Sequence, residues 1–101
     1  MNSFGKVFQI VAKIPEGKVT TYGAISKVVG IDPRVVGFAL HANKEPERTP
    51  CHRVINSKGM VSSGYAFGGP DAQKKMLQKE GVKFDKRSGA VDLNKFGFFL
   101  F

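Results

Sequence analysis

Cys51 is the only cysteine in the chain, and His52 and Arg53 follow it directly. A thiolate is a soft nucleophile, but a free cysteine has a pKa of roughly 8.5 and is mostly protonated at neutral pH. Neighbouring cationic or hydrogen-bonding groups of this kind can lower a thiol pKa. A nucleophile also needs a base, and the base needs an orienting partner. Glu80 fits that third place, because it ends a helical stretch whose start is joined to the Cys-His segment by one loop. Spacing alone leaves two readings open. One is a reactive Cys51–His52–Glu80 relay; the other is a buried, inert cysteine that packs as a small apolar residue. A metal centre is not expected, since one cysteine with His41 and His52 offers no paired-ligand spacing. No Gly-rich loop with a following Lys-Ser/Thr marks a nucleotide site. Gly68-Gly69-Pro70 stands where a helix could hold an anion, although a turn is the simpler account.

These residues need elements to position them. Phe4, Val7, Phe8, Val11 and Ile14 recur at helical spacing, with Ser3 as the cap and Pro15 and Gly17 as the stop. Lys18 to Thr21 is short and extended. Thr21 is placed to cap a second helix over Tyr22 to Val29, and Gly30 suits its C-terminal end. Asp32-Pro33 is the sharpest start signal: a capping carboxylate, then a proline whose missing N–H costs nothing there. It opens a third helix to about Ala42, with Val36, Ala39 and Leu40 inside. The two helices across Gly30-Ile31-Asp32 form a helix-turn-helix candidate, and an ordinary helical hairpin has the same pattern. Val54-Ile55 and Met60-Val61 flank Asn56-Ser57-Lys58-Gly59 and read as a β-hairpin, which beside a helix-turn-helix would be a wing. Pro70 opens a fourth helix through Ala72, Met76 and Leu77 to Gly81. The aromatic end, Phe96 to Phe101, should dock on the body. The expected class is mainly α: a winged helix-turn-helix domain with a small β-hairpin.

The chain has 101 residues and a net charge of +8, with 16 Lys+Arg against 8 Asp+Glu. That length suits one domain with one core. A hydrophobic share of 42% excludes a wholly disordered chain. A lone cysteine excludes a disulfide scaffold, and no apolar run reaches the roughly 18 residues of a membrane span. The N-terminus lacks the plan of a signal peptide. A reduced compartment is expected, cytoplasmic in a bacterium or archaeon and nuclear in a eukaryote. The scattered positive charge favours a folded basic face that binds nucleic acid; a merely soluble basic protein has the same balance.

Thr49-Pro50-Cys51-His52-Arg53-Val54-Ile55 resembles the active-site motif of the O6-alkylguanine-DNA alkyltransferases, the methylated-DNA–protein-cysteine methyltransferases. The resemblance runs from about Phe4 to Phe84. Gly17 to Gly23 is similar to the segment leading into the family's helix-turn-helix, Arg34 to Leu40 to its recognition helix, and Lys79 to Val82 to the segment with its active-site glutamate. The resemblance implies single-turnover transfer of an alkyl group from O6-alkylguanine in double-stranded DNA to Cys51, with no cofactor. His52 would be the base acting through a water, Glu80 its orienting carboxylate and Asn43 the brace. Arg34 would fill the gap left by the rotated nucleotide, and Tyr22 would help push that nucleotide out. Thr21, Gly37 and Arg53 are further expected DNA contacts, with Gly37 and Ala39 small enough to let the helix approach the minor groove. Pro50, Tyr65 and Ser63 are the expected substrate-pocket residues.

Phe4 already lies in the shared region, so one domain over residues 1–101, without the family's N-terminal domain and monomeric, is expected. The loop from Val61 to Gly69 is longer than the family's usual active-site loop. The size and the Val91-Asp92-Leu93 tail resemble the alkyltransferase-like proteins, single-domain relatives that bind alkylated guanine without repairing it and flag it to excision-repair proteins. Those relatives carry tryptophan or alanine in place of the acceptor, whereas this chain has Cys51 and no tryptophan. The resemblance therefore implies transfer first and sensing without transfer as the alternative.

Overall fold

The computed structural model describes residues 2–61 and 65–101. Helix α1 spans Ser3–Val11, and its cap is Asn2, whose Oδ1 accepts from Gly5 N at 2.8 Å. Asparagine caps as well as serine, so the helix starts one residue before the Ser3 cap that the sequence suggests. It stops at Val11, and Ile14 reaches the core from the turn that follows. Strand β1, Thr20–Thr21, leads into α2, Tyr22–Val29. Thr21 Oγ1 accepts from Ala24 N at 3.1 Å, and Gly30 closes the helix in the left-handed region at φ 80°. Helix α3 spans Pro33–His41 and is capped by Asp32. These caps use only neighbouring residues, which is why the sequence shows them.

Val7, Ile10 and Val11 of α1 pack with Ile25 of α2 and Val36, Ala39 and Leu40 of α3 to make the main cluster, which Cys51 and Val54 join. Cys51–Arg53 form a single 3-10 turn, followed by β2, Val54–Ile55. Helix α4 spans Gly69–Lys79, and α5 is the single turn Leu93–Phe96. Val19, Ile55, Leu77, Val82 and Val91 form a second cluster beneath α4.

The mainly helical class with a small sheet holds, but the expected β-hairpin does not form among the described residues. Val54–Ile55 pair in parallel with Thr20–Thr21, in register Thr20 to Val54 and Thr21 to Ile55. The turn at Asn56 to Gly59 is present and is held by its own side chain: Asn56 Oδ1 accepts from Lys58 N at 2.9 Å and Met60 N at 3.0 Å. Gly59, the last residue of the turn, meets the tail, with Val91 N donating to Gly59 O at 2.8 Å. A turn signal is local, whereas the strand's partner is chosen by packing from far along the chain. Gly59 sits at φ 82°, and a Cβ there would lie 2.6 Å from Val91 O. Gly59→Ala therefore combines a strained backbone with a clash against backbone. It is expected to cost roughly 2–3 kcal/mol, read as a lower urea midpoint at unchanged slope.

The aromatic tail docks as its composition requires. Val19 N donates to Phe96 O at 2.8 Å and Phe98 N to Val19 O at 2.7 Å, while Phe98 and Phe101 pack on the main cluster. Phe99 and Leu100 stay exposed.

Candidate active site

The 3-10 turn at Cys51 is pinned from both sides. Cys51 N donates to Thr49 O at 2.7 Å and Arg53 N to Pro50 O at 3.0 Å. From α4, the buried Gln73 donates through Nε2 to His52 O at 3.0 Å and Val54 O at 2.9 Å. Sequence reasoning missed Gln73. The available signal was a polar residue one turn before the inward-facing Leu77.

Glu80 lies at the C-terminal end of α4, and its carboxylate is the hub of the site. His52 Nε2 lies 2.8 Å from Glu80 Oε2. Arg53 grips the same carboxylate with two donors, Nε to Oε1 at 3.0 Å and a terminal nitrogen to Oε2 at 2.7 Å. The other terminal nitrogen of Arg53 donates to Ile14 O at 2.8 Å, and Gly17 N approaches Glu80 Oε1 at 3.4 Å. Burial pushes the Glu80 carboxyl up, but hydrogen bonds from Arg53 and His52 outweigh it and hold the group below its ordinary value. The hub thus keeps a charge in a nearly dry place because two cationic or potentially cationic groups face it.

Cys51 is buried at 4% exposure. Burial pushes its thiol pKa up, while a side-chain hydrogen bond with Asn43 pulls in the other direction. The lowering expected from the adjacent Arg53 does not occur, since that guanidinium is turned to Glu80. Asn43 is itself buried and fixed: its Nδ2 donates to Thr49 O at 2.9 Å and its Oδ1 accepts from Glu45 N at 3.0 Å. Tyr65 is buried near the thiol, where burial and a charge on Cys51 both push its own pKa up. Its hydroxyl points at Met76 Sδ at 3.1 Å. Pro50 and His52 line a cavity of about 280 Å³ with Pro46, Glu47, Arg53 and Met76. Ser63, the remaining expected pocket residue, lies outside the described residues.

A second concave surface lies on the helix-turn-helix. Tyr22, Pro33, Arg34, Gly37, Phe38, His41 and Ala42 line a groove of about 880 Å³. Arg34 is exposed and folds back on the cap, with Nε 3.2 Å from Asp32 Oδ1. Tyr22, Arg34 and Gly37, three of the residues expected to contact DNA, therefore share one face. Thr21 and Arg53 do not. Thr21 is buried and caps α2, Arg53 braces Glu80, and Ala39 faces the core. Among the described residues no group of His, Cys, Asp and Glu could hold a metal ion, and no helix is long and apolar enough to cross a membrane.

Known proteins resemble this chain in sequence and in fold. The family model for the DNA-binding domain of 6-O-methylguanine DNA methyltransferase matches residues 2–82. Alkyltransferase-like protein 1 of Schizosaccharomyces pombe is 40% identical over 94 residues, covering 90% of this chain and 87% of that protein. The DNA base-flipping protein of Escherichia coli is 43% identical over 96 residues, covering 90% and 70%. A methylated-DNA–protein-cysteine methyltransferase of Saccharolobus islandicus is 46% identical over 77 residues, covering 76% of this chain and 49% of that protein, about half its length. The crystal structure of S. pombe Atl1 in complex with damaged DNA containing O6-carboxymethylguanine matches with a TM-score of 0.80 at 36% identity, covering 95% of this chain and 94% of that one. The chain belongs to the 6-O-methylguanine DNA methyltransferase DNA-binding-domain family, whose alkylguanine-DNA repair proteins include both methyltransferases and alkyltransferase-like, base-flipping members.

Proposed function

We propose that this protein repairs O6-alkylguanine in double-stranded DNA by transferring the alkyl group to Cys51, once per molecule. The observation that carries this reading is a buried cysteine beside a histidine whose ring is held by Glu80 at 2.8 Å. The helix-turn-helix face with Arg34 and Tyr22 binds the duplex through the minor groove, and the damaged nucleotide is rotated out to reach the thiol. With Nε2 engaged by Glu80, His52 exchanges protons through Nδ1, by way of a water. The thiolate sulfur attacks the alkyl carbon as the carbon–O6 bond breaks. The bonding electrons pass into the purine, which takes up the proton that left the thiol. The products are guanine in DNA and a thioether on Cys51. Arg53 and Gln73 are positioning residues: one holds the Glu80 carboxylate and the other holds the turn that carries Cys51 and His52.

Intact-protein mass spectrometry after incubation with a duplex bearing one O6-methylguanine tests this. One added methyl group per molecule, on Cys51, is the expected result. Selective binding of that duplex with no mass gain is the outcome that overturns transfer. It would leave the second reading, a lesion sensor that signals to excision-repair proteins, which the near-complete coverage of the S. pombe relative favours.

The pH dependence follows from burial. A thiol raised above its ordinary pKa rests protonated at neutral pH, so transfer should quicken as the pH rises into the alkaline range. Asn43→Ala removes the hydrogen bond that opposes the rise. Transfer at pH 7 should fall about tenfold and return at high pH, in a rate profile displaced upwards. A uniform loss at every pH would mean that Asn43 only supports the fold.

A further inference from the structure

The outer face of α3 carries an aromatic side chain that the fold does not use. Phe38 is 64% exposed, although a phenylalanine on a short helix ordinarily turns inward. The inward face is already filled by Val36, Ala39 and Leu40. Phe38 is four residues beyond Arg34, so the two lie on the same face of the helix about 6 Å apart along its axis. Between them stands Gly37, where alanine is the better helix former and an added methyl would meet no atom within 4 Å. Nothing among the described residues calls for either one. A surface that presses closely on this face from outside accounts for both.

The occupant is DNA, on three grounds. The chain carries +8. Arg34, one turn away, presents an exposed guanidinium. The matching S. pombe structure is a complex with DNA. We propose that Phe38 is an apolar anchor in the minor groove, packing on deoxyribose and base edges one helical turn beyond Arg34. The proposal rests on the DNA-binding reading above and adds a contact of a different kind to it. Minor-groove proteins combine cationic contacts with apolar side chains, because the groove wall offers sugar carbons between the phosphates. Such a ring strengthens binding without choosing a sequence, and its contribution does not depend on displaced counterions.

The test is equilibrium binding of one O6-methylguanine duplex by the wild type, Phe38→Ala, Phe38→Leu and Arg34→Ala across a salt series. Phe38→Ala is expected to bind about tenfold more weakly at every salt concentration, with an unchanged slope of log affinity against log salt. Phe38→Leu should keep most of the affinity. Arg34→Ala should flatten the slope by about one. Thermal midpoints of the Phe38 variants should match the wild type, which separates a lost contact from a lost fold. If Phe38→Ala binds as the wild type does while Arg34→Ala is impaired, the anchor is refuted and the DNA-binding reading stands. If the wild type fails to bind the duplex, both fall. A wild-type dimer that Phe38→Ala converts to monomer would assign the ring to a second copy of the chain and overturn the anchor.

Discussion

Cys51→Ser is expected to lower alkyl transfer by at least about 10⁴-fold, below detection, while binding of the alkylated duplex stays within about twofold of the wild type. Both halves follow from where the side chain lies. The sulfur is the group that accepts the carbon, and a serine hydroxyl is too weakly acidic and too hard to replace it even with His52 in place. Serine is nearly the same size, and Asn43 offers it a hydrogen-bond partner in the same pocket. The groove carrying Arg34 and Tyr22 does not include residue 51 and is left intact. Mass spectrometry and a binding isotherm on the same preparation check the two halves separately. Residual methylation in Cys51→Ser would place the acceptor elsewhere. Equal and complete inactivity of the wild type and the variant, with lesion binding retained, would make the protein a sensor.

Glu80→Ala is expected to lower stability by about 3 kcal/mol, a loss of roughly 10–20 °C in thermal midpoint, and to slow transfer as well. The carboxylate is 12% exposed and answers both His52 and Arg53, whose own side chains are 6% and 15% exposed. Removing it leaves the Arg53 guanidinium in a nearly dry place with, among the described residues, Ile14 O alone to receive it. An ion pair on the surface would cost far less, about 1 kcal/mol at most. The loss should also carry a pH signature. The folded-state pKa of Glu80 lies below its ordinary 4.5, so its contribution is present above that value and disappears as acid titrates through the lower one. Wild-type stability should therefore fall in acid more steeply than that of Glu80→Ala. Urea titrations at several pH values measure the difference. A Glu80→Ala variant within 1 kcal/mol of the wild type, with a parallel pH profile, would show that the hub behaves as an exposed pair. Glu80→Gln keeps the shape and removes the charge, and it separates the two contributions.

Local signals in the sequence set helices α1 to α4 and the chemistry-bearing residue types, but not the single turns at Cys51–Arg53 and Leu93–Phe96. Thr21, Gly30 and Asp32-Pro33 set helix ends through bonds to residues two to four positions away, and the apolar spacing around Val36 and Leu40 set the inward face. Cys51-His52 announced a possible nucleophile and base, and Glu80 was legible as a partner because one loop and one helix separate it from His52. Whether that relay was assembled was not legible, nor was the fact that Arg53 belongs to it. Only the tertiary structure brought Glu80 to His52 across 28 positions, turned Arg53 away from the thiol, and seated Gln73 against the turn. It also replaced a local hairpin by parallel pairing with β1, and it left Phe38 outside because three smaller residues already filled the space behind α3. The physical reason is range. Caps, turns and periodicity depend on a few neighbouring residues, whereas the partner of a strand, the environment of a thiol and the exposure of a ring depend on how the whole chain packs.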